Sequence, residues 1–429
     1  MKFTVNTKEF QEVLNLVKVI AASSSSSRVS PHYVCLFRAY PQKERLELDF
    51  SLNSSFMTYI FQEVKLSGGE DVKEIRSSID LEILSNLRLT GQNVTFTLQE
   101  KQDSKILKFQ SGSLKGTLLL ANADVEEYVE QVRPKKGKVQ LTHSFPKKIF
   151  IEGLSAHFYG YHYDEQRARK RPVRVHYDRE RLNFISKDKL SLGIISKGYN
   201  APVDEFDHLI VPTSLHAVLS VIPDSWGTQF NIGVTKESWC INFESVSVWF
   251  DNITSDKNPE VYSLVTEVEK AACYQIKVPS ADFKASLEEV HPFLRNKSLA
   301  TASDAPSVCL KVTKNGKVSL IVTTVKAPIV TLDLKSAKFE DNIELGVAQV
   351  HEVAVDIRFL EEFVNSLRGS VDSHLLAKET SEEDRPFYLK WWPVNGETSP
   401  AKGKTVCMGF GDSVYLVSRS KVNSTEKPA

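Results

Sequence analysis

A short run of cationic side chains is the feature of this sequence that most clearly suggests chemistry. In the segment HYDEQRARKRPVRVHYD, from His162 to Asp178, five cations fall within the eight residues from Arg167 to Arg174. Guanidinium groups bind phosphate oxygens through paired hydrogen bonds, so such a group suits a nucleic-acid backbone. The competing interpretations are a solvated surface loop and a localisation signal. We call the following residues the cation cluster: Arg167, Arg169, Lys170, Arg171 and Arg174.

Motifs for enzymatic chemistry are missing from the sequence. It contains no Walker-type phosphate loop, no dinucleotide-binding glycine fingerprint and no HExxH zinc motif. The acidic run Glu379–Asp384 has no accompanying pattern for metal binding or acid–base work, and it is typical of a solvated loop. The sequence therefore predicts no catalytic residues, no metal site and no cofactor, which argues against an enzyme.

Length, charge and cysteine content limit the function classes further. The 429 residues suggest about three domains, and 54 basic against 54 acidic residues exclude a uniformly basic nucleic-acid coat. The sequence shows neither a secretion signal nor an apolar run of about 18 residues, so we expect a cytoplasmic protein without a membrane partner. The five cysteines are scattered without CxxC spacing, which favours buried, reduced thiols.

A repeated unit organises the chain. Six stretches share an apolar strand end, a polar cap and apolar residues at helical spacing, and they begin near residues 3, 77, 141, 209, 276 and 353. In the first stretch Phe10, Val13, Leu14 and Val17 follow the i, i+3, i+4, i+7 pattern of a helix. After each helix the period changes to two, and Asn315–Gly316 marks a hairpin turn. The unit is therefore one strand, one helix and about three strands, repeated every ~65–75 residues.

Six such units predict an α+β protein of three similar domains, each built from two strand–helix–three-strand units. The polar stretch Arg133–Lys138 separates the second unit from the third and is typical of a linker. We place the domains at residues 1–135, 136–270 and 271–422, followed by a disordered tail at residues 423–429.

Over nearly its whole length the chain resembles the bacterial-type β sliding clamps, the DNA polymerase III beta subunit family, as a divergent cellular or viral member. The resemblance rests on the six-unit plan and on local segments. The opening MKFTV with its amphipathic helix resembles the first strand and helix of the family. The segment LKFQSGSLKGTLLLANADVEEYV, from Leu107, resembles an edge-strand segment of the first domain. VHPFLRNKS, from Val290, resembles the end of a helix in the third.

The resemblance implies a DNA-clamp fold in which helices line the hole of a homodimeric ring and sheets form its outside. Such a ring encircles double-stranded DNA without reading its sequence and tethers the replicative polymerase, in the cytoplasm at the nucleoid or a viral replication site. Encirclement retains the DNA, so a strongly basic net charge is not needed. The residues that the resemblance assigns to DNA contact are Arg28, Gln166, Arg167, Arg169, Lys170, Arg171, Lys147 and Lys148.

Two protein interfaces also follow from the resemblance. The joint between subunits is assigned to Leu114, Thr117 and Leu118 on an edge strand and to Phe293 and Leu294 at a helix end. The pocket that binds short peptides of the DNA polymerase and the clamp loader is assigned to Leu190, Leu192, Pro259, Leu264, Leu416 and Ser418. For Phe293 and Leu294 of the joint and for the leucines of the pocket, a place in the internal core is the competing interpretation.

Two other function classes stay open at the level of sequence. One is a non-catalytic, repeat-built interaction or structural protein that does not encircle DNA. The other is a nucleic-acid enzyme whose active site the motifs do not reveal. Retention on circular but not on linear DNA favours the clamp over both, and metal-dependent turnover favours the enzyme.

Overall fold

The structure is a computed structural model of the chain. It describes residues 1–23, 34–52, 55–62, 64–68, 75–101, 104–120, 123–134, 142–155, 172–177, 180–187, 191–199, 206–212, 215–234, 238–251, 273–294, 307–313, 315–323, 328–341, 351–356, 360, 386–392, 405–410 and 413–418.

The first half of the chain contains three strand–helix–three-strand repeats. The first repeat consists of β1 (Lys2–Asn6), α1 (Thr7–Ser23), β2 (Val34–Tyr40), β3 (Arg45–Leu52), β4 (Ser55–Phe61) and an additional strand, β5 (Lys65–Ser67). The second consists of β6 (Ile75–Asp80), α2 (Leu81–Ser85), β7 (Asn93–Lys101), β8 (Ser104–Ser111), β9 (Leu114–Leu119) and a helix that follows them, α3 (Ala123–Val132). The third consists of β10 (Thr142–Pro146), α4 (Lys147–Ser155), β11 (Pro172–Tyr177), β12 (Arg181–Lys187) and β13 (Ser191–Gly198).

The second half of the chain continues the same order of elements. The fourth repeat consists of β14 (Phe206–Pro212), α5 (Leu215–Val221), β15 (Gln229–Val234), β16 (Ser238–Asn242) and β17 (Val246–Asp251). The fifth consists of β18 (Tyr274–Pro279), α6 (Ser280–Leu294), β19 (Ser307–Val312), β20 (Val318–Thr323), β21 (Pro328–Asp333) and an additional strand, β22 (Lys338–Asp341). The sixth contains β23 (His351–Asp356), β24 (Pro386–Trp391), β25 (Thr405–Phe410) and β26 (Ser413–Ser418). The described elements confirm the repeat plan predicted from sequence, and of the predicted sixth helix the structure describes Leu360 alone.

Neighbouring repeats exchange their first strands. β1 joins the later strands of the second repeat by pairing with β7, and β6 joins those of the first by pairing with β2. The same exchange pairs β10 with β15 and β14 with β11, and it pairs β18 with β24 and β23 with β19. The repeats are therefore interlocked in twos.

The described strands form four antiparallel sheets. Two of these sheets also contain strands from repeats that do not exchange first strands with each other. In them β4 of the first repeat pairs with β17 of the fourth, and β13 of the third pairs with β26 of the sixth. Each of these two joints brings together the last strands of two repeats. The strand orders are β10-β15-β16-β17-β4-β3-β2-β6, β14-β11-β12-β13-β26-β25-β24-β18-β22, β5-β1-β7-β8-β9 and β21-β20-β19-β23.

The chain divides into two compact units. One comprises Met1–Ile151 and Ser214–Thr254, and the other comprises Glu152–Thr213 and Ser255–Ala429. The first contains the eight-stranded and five-stranded sheets, and the second contains the nine-stranded and four-stranded sheets. The three domains with borders near residues 135 and 270 stay a prediction, because both of the larger sheets run across those borders.

Local sequence signals set the starts and turns of the elements. Asn6 caps α1 by accepting a hydrogen bond from the Glu9 amide at 3.1 Å. Asp80 caps α2 by accepting one from the Glu82 amide at 2.7 Å. The predicted hairpin at Asn315–Gly316 joins β19 to β20, and the glycine takes the left-handed conformation that the turn requires, with φ of +74°.

The predicted apolar face of the first helix lies in the core. Phe10, Val13, Leu14 and Val17 are all buried, and the Phe10 ring packs 5.3 Å from that of Phe96 on β7. Burial of such side chains contributes about 1.5–3 kcal/mol each. The five cysteines are also buried and form no disulfide, which confirms the prediction made from their spacing.

Candidate functional site

Four members of the cation cluster lie in the connection between α4 and β11, and the fifth, Arg174, lies on β11 opposite Ile185 and Ile210. Residues 156–171 are outside the described part of the chain, and so are Gln166, Arg167, Arg169, Lys170 and Arg171. Arg28 is also outside it, in the connection between α1 and β2. Both connections link the helix of a repeat to the strand that follows it, so the topology gives these cations the same place in repeats one and three. Their contact with DNA stays a prediction.

Lys147, the first residue of α4, is engaged inside the protein. Its ammonium donates a hydrogen bond to the Ile222 carbonyl at 2.7 Å and another to the carboxylate of Asp224. The hydrogen bond from Lys147, together with its charge, holds the pKa of Asp224 below its usual value. Lys147 thus ties the start of α4 to the turn after α5, and these two bonds use two of the three hydrogen-bond donors of its ammonium. The neighbouring Lys148 is exposed.

The described helices that open the repeats are not basic. In these five helices the lysines are Lys8, Lys18, Lys147, Lys148 and Lys284, and the carboxylates are Glu9, Glu12, Glu82, Glu152, Asp282, Glu288 and Glu289. Carboxylates therefore outnumber lysines, and Lys8 lies 3.9 Å from Glu12. Any strong attraction for phosphate must come from elsewhere in the chain, and the cation cluster is the richest source that the sequence offers.

Strand β9 is an open edge of the five-stranded sheet, since β8 is its one partner among the described strands. Leu120 donates its amide to the Lys105 carbonyl at 3.2 Å. Bonding to a given neighbour alternates along an antiparallel strand, so the even-numbered residues of β9 bond to β8. Lys115, Thr117 and Leu119 therefore direct their backbone groups towards the open edge.

The side chains of β9 divide between the core and the surface. Three residues of β9 were assigned to the subunit joint. Leu114 and Thr117 are exposed, whereas Leu118 is buried. Leu119, which the sequence analysis did not assign, is 73% exposed. The alternation of the edge strand is the signal that could have identified it, because Leu119 shares the face of Thr117. An exposed leucine on an open edge is a feature of a pairing surface.

Strand β21 is the corresponding open edge of the four-stranded sheet within the described chain. Helix α6 packs against β21, and its Phe293, assigned to the joint, is 42% exposed. Leu294 is the last residue of the same helix, and its side chain is not among those that the structure describes. At the end of β21, Asp333 accepts hydrogen bonds from Lys317 and Ser319. These bonds, that of Lys317 more than that of Ser319, hold the pKa of Asp333 below its usual value.

Two of the six residues assigned to the peptide pocket lie side by side on neighbouring strands. Leu192 on β13 and Leu416 on β26 are direct register partners in the nine-stranded sheet. Leu192 is buried, as the core interpretation expects, and Ser418 lies at the end of β26 opposite Thr405. Leu190, Pro259 and Leu264 are outside the described residues. The structure therefore brings the backbones of Leu192 and Leu416 together, and the pocket itself stays a prediction.

The described residues contain neither a group of metal-ligating side chains nor a helix that could span a membrane. Within the described ranges no three side chains of histidine, cysteine, aspartate or glutamate gather as a metal site. Among the helices of those ranges, none combines the length and apolar character needed to span a bilayer.

The chain matches known proteins by its three-dimensional structure and not by its sequence. No protein-family model matches the chain, and no curated protein matches it. Solved structures match over nearly all of its length. The beta subunit from DNA polymerase of Streptococcus pyogenes is 11% identical, with a TM-score of 0.71, and the match covers 98% of this chain and 100% of that one.

Two further structures give the same result. The DNA polymerase sliding clamp from Bacillus subtilis has a TM-score of 0.69 at 12% identity, covering 98% of this chain and 99% of that one. The DNA polymerase III subunit beta from Pseudomonas aeruginosa has a TM-score of 0.69 at 11% identity, covering 98% and 100%. The chain therefore has the fold of these proteins, which confirms the fold class predicted from sequence.

Proposed function

We propose that the chain is a DNA sliding clamp, a processivity factor that encircles duplex DNA as a ring of two subunits and tethers the replicative polymerase. The full-length match to solved sliding clamps supports this function. The observation that carries it lies in the sheets, where two last strands are left without partners among the described strands. We assign no catalytic step to the chain.

The pairing of last strands shows how such a ring would close. Six repeats supply six last strands, and four of them pair within the chain, β4 with β17 and β13 with β26. The other two, β9 and β21, are open edges among the described strands. Pairing β9 of one subunit with β21 of another repeats the same joint a third time. Two copies then form two identical joints and close the assembly.

The exposed apolar side chains suit this joint. Leu114 and Leu119 lie on β9, and Phe293 lies on the helix that packs against β21. An open edge with exposed leucines promotes association unless a partner covers it. In the joint, main-chain hydrogen bonds set the register, and burial of the apolar side chains adds stability.

We assign DNA contact to eight residues: Arg28, Gln166, Arg167, Arg169, Lys170, Arg171, Lys147 and Lys148. Encirclement retains the DNA, so these contacts need only be weak and independent of sequence. Six of the eight fall in the α1–β2 and α4–β11 connections, which agrees with helices whose carboxylates outnumber their lysines. Guanidinium groups there would replace counterions on phosphates and add a salt-dependent term to binding.

The remaining partners are the DNA polymerase and the clamp loader. Short peptides of both would bind beside the β13–β26 joint, where Leu192 and Leu416 are register partners. With these partners we expect the protein to act in the cytoplasm, at the nucleoid or a viral replication site. A repeat-built structural protein without DNA encirclement is the alternative, and it has no requirement for a closed ring.

Sedimentation velocity across nanomolar to micromolar protein tests the proposed assembly. We expect monomers at low concentration and dimers at high concentration. No larger species should form, because each subunit of the dimer has both of its open edges paired. A chain that stays monomeric contradicts the ring. So does growth into ever larger species, because it shows that the joint does not close on itself.

A further inference from the structure

Helix α3 connects the open edge strand β9 to the eight-stranded sheet. It begins at Ala123, four residues beyond the end of β9 at Leu119, and it packs on β2, β3 and β6. Four residue steps span at most about 14 Å, so the end of β9 cannot move far from the start of α3. Glu126 of α3 also lies 3.7 Å from Lys105, whose carbonyl accepts the Leu120 amide.

The apolar face of α3 covers the joint between β4 and β17. Val129 is completely buried in a cluster with Val34 and Leu36 of β2 and with Phe56 and Trp249. Phe56 on β4 and Trp249 on β17 are register partners across the joint. Docking of α3 therefore covers side chains on both sides of an existing joint, while its N-terminal end is attached to a strand at an open edge of the described sheet.

Six charged side chains hold the C-terminal end of α3, and we call them the ion cluster. Arg133, just beyond the helix, bonds to Glu47 and lies 3.6 Å from Asp49. Glu130 of α3 forms an ion pair with Arg38 of β2, and Arg38 donates to Asp49 at 2.7 Å. Thr58 also donates to Asp49 at 2.7 Å. The members are Arg38, Arg45, Arg133, Glu47, Asp49 and Glu130.

The ion cluster is balanced in charge when α3 is docked, and it loses that balance when only one of the two members from the α3 segment, Glu130 or Arg133, is removed. It contains three arginines and three carboxylates, and Arg45 donates to Glu47 at 2.9 Å. Arg38, Glu47 and Asp49 are buried. Loss of Arg133 alone leaves three carboxylates against two arginines in a buried place, which strongly disfavours the docked state. Undocking of the helix exposes the remaining groups to water and relieves that imbalance.

We infer that α3 is a positioning element for the subunit joint: its docking, held by the ion cluster, fixes β9 in the conformation that pairs with a second subunit. The inference rests on the proposed ring. β9 is hydrogen-bonded on one side only among the described strands, so a second restraint at its C-terminal end reduces the conformations that pairing must order. The restraint acts on Leu119, the exposed leucine whose backbone faces the open edge.

The test compares three variants of the full-length chain. Arg133→Met removes the charge that balances the ion cluster, and Val129→Ala loosens α3 without touching any charge. Lys277→Met is the matched control, because it removes the ion pair with Glu340, at 2.8 Å, from a sheet outside the joint. Hydrogen exchange of the peptides that contain α3 and β9 is measured with each protein held monomeric by dilution, and dimer dissociation is measured by sedimentation.

In both α3 variants we expect faster amide exchange in α3 and also in β9, with circular dichroism unchanged. The dimer dissociation constant should rise by at least about tenfold, which needs the pairing-competent state to fall only to roughly a third of the molecules, because both subunits of a dimer must be competent. The control should change neither quantity. Val129→Ala keeps the test decisive if Arg133→Met does not fold.

Two outcomes overturn the inference. One is faster exchange in α3 while exchange in β9 and the dissociation constant stay at the wild-type values, which makes α3 a cover for the β4–β17 joint only. The other is unchanged exchange in α3 in both variants, which shows that these residues do not hold the helix. A wild-type chain that never dimerises refutes the proposed ring instead, and the exchange of β9 in the monomer still tests its coupling to α3.

Discussion

Replacing Thr117 by proline tests the ring at the backbone of its proposed joint. Thr117 lies in the middle of β9 and directs its amide towards the open edge, as the bond between Leu120 and Lys105 indicates. Proline has no amide hydrogen, but at this position it breaks no bond to β8, and edge strands tolerate proline on the open side. The free monomer should therefore fold normally.

The expected loss follows from one missing hydrogen bond at each joint. A hydrogen bond contributes about 0.5–1.5 kcal/mol, and the carbonyl left unpaired in the closed joint costs about 1–3 kcal/mol. The second value includes the first, so each joint loses roughly 1–3 kcal/mol, and a ring of two subunits contains two joints. The total of about 2–6 kcal/mol corresponds to a dimer that is roughly 30-fold to 10⁴-fold weaker.

Sedimentation of Thr117→Pro measures this loss directly, and Thr117→Val is the matched control. Valine keeps the backbone amide and nearly the same shape, so its dimer should remain close to wild type. Thermal unfolding of both variants in dilute solution checks that the monomers are folded. If the folded proline variant dimerises as well as the wild type, pairing through β9 is refuted.

Three more predictions concern the remaining sites. Replacing Arg167, Arg169 and Arg171 by alanine should weaken DNA binding equally for all sequences and reduce the slope of log K against log salt by up to ~0.9 for each phosphate that is no longer neutralised; an unchanged slope in a salt titration contradicts the assignment. The carboxylate of Asp224 has a lowered pKa, so its contribution to stability is present above the pKa of the unfolded carboxyl and is lost as the pH falls through the folded value. The difference in melting temperature between wild type and Asp224→Asn should therefore shrink towards zero on acidification below pH ~4, and a difference that grows refutes the pairing. Leu416→Asp should abolish binding of a peptide from the C-terminus of the cognate polymerase while the dimer persists, and undiminished binding in fluorescence anisotropy places the peptide elsewhere.

Much of the fold could be predicted from sequence because each repeat carries its own periodicity. The spacing of Phe10, Val13, Leu14 and Val17 identified the buried face of α1, and Asn315–Gly316 identified a turn. These signals are local, since they reflect which face of a helix is buried and which residues adopt a positive φ. The strand exchange between repeats is not local, and no pattern within one repeat reveals it.

The proposed joint could be predicted only in part, for the same reason. The resemblance assigned Leu118 to the joint with Leu114 and Thr117, but the structure buries Leu118 and exposes Leu119. Which strands remain at an edge depends on pairings between residues far apart in the chain. The ion cluster was missed because charged residues usually lie at the surface, and burial of Asp49 becomes visible only when α3 covers it.

Retention on circular DNA tests the central claim most directly. The chain is loaded onto circular duplex DNA, with its clamp loader if rings do not open unaided, and half of the sample is then cut once by a restriction enzyme. On gel filtration in moderate salt we expect the protein to elute with the intact circle and to dissociate from the linear DNA. Equal retention on the circular and linear forms would show that the chain binds the surface of DNA and does not encircle it.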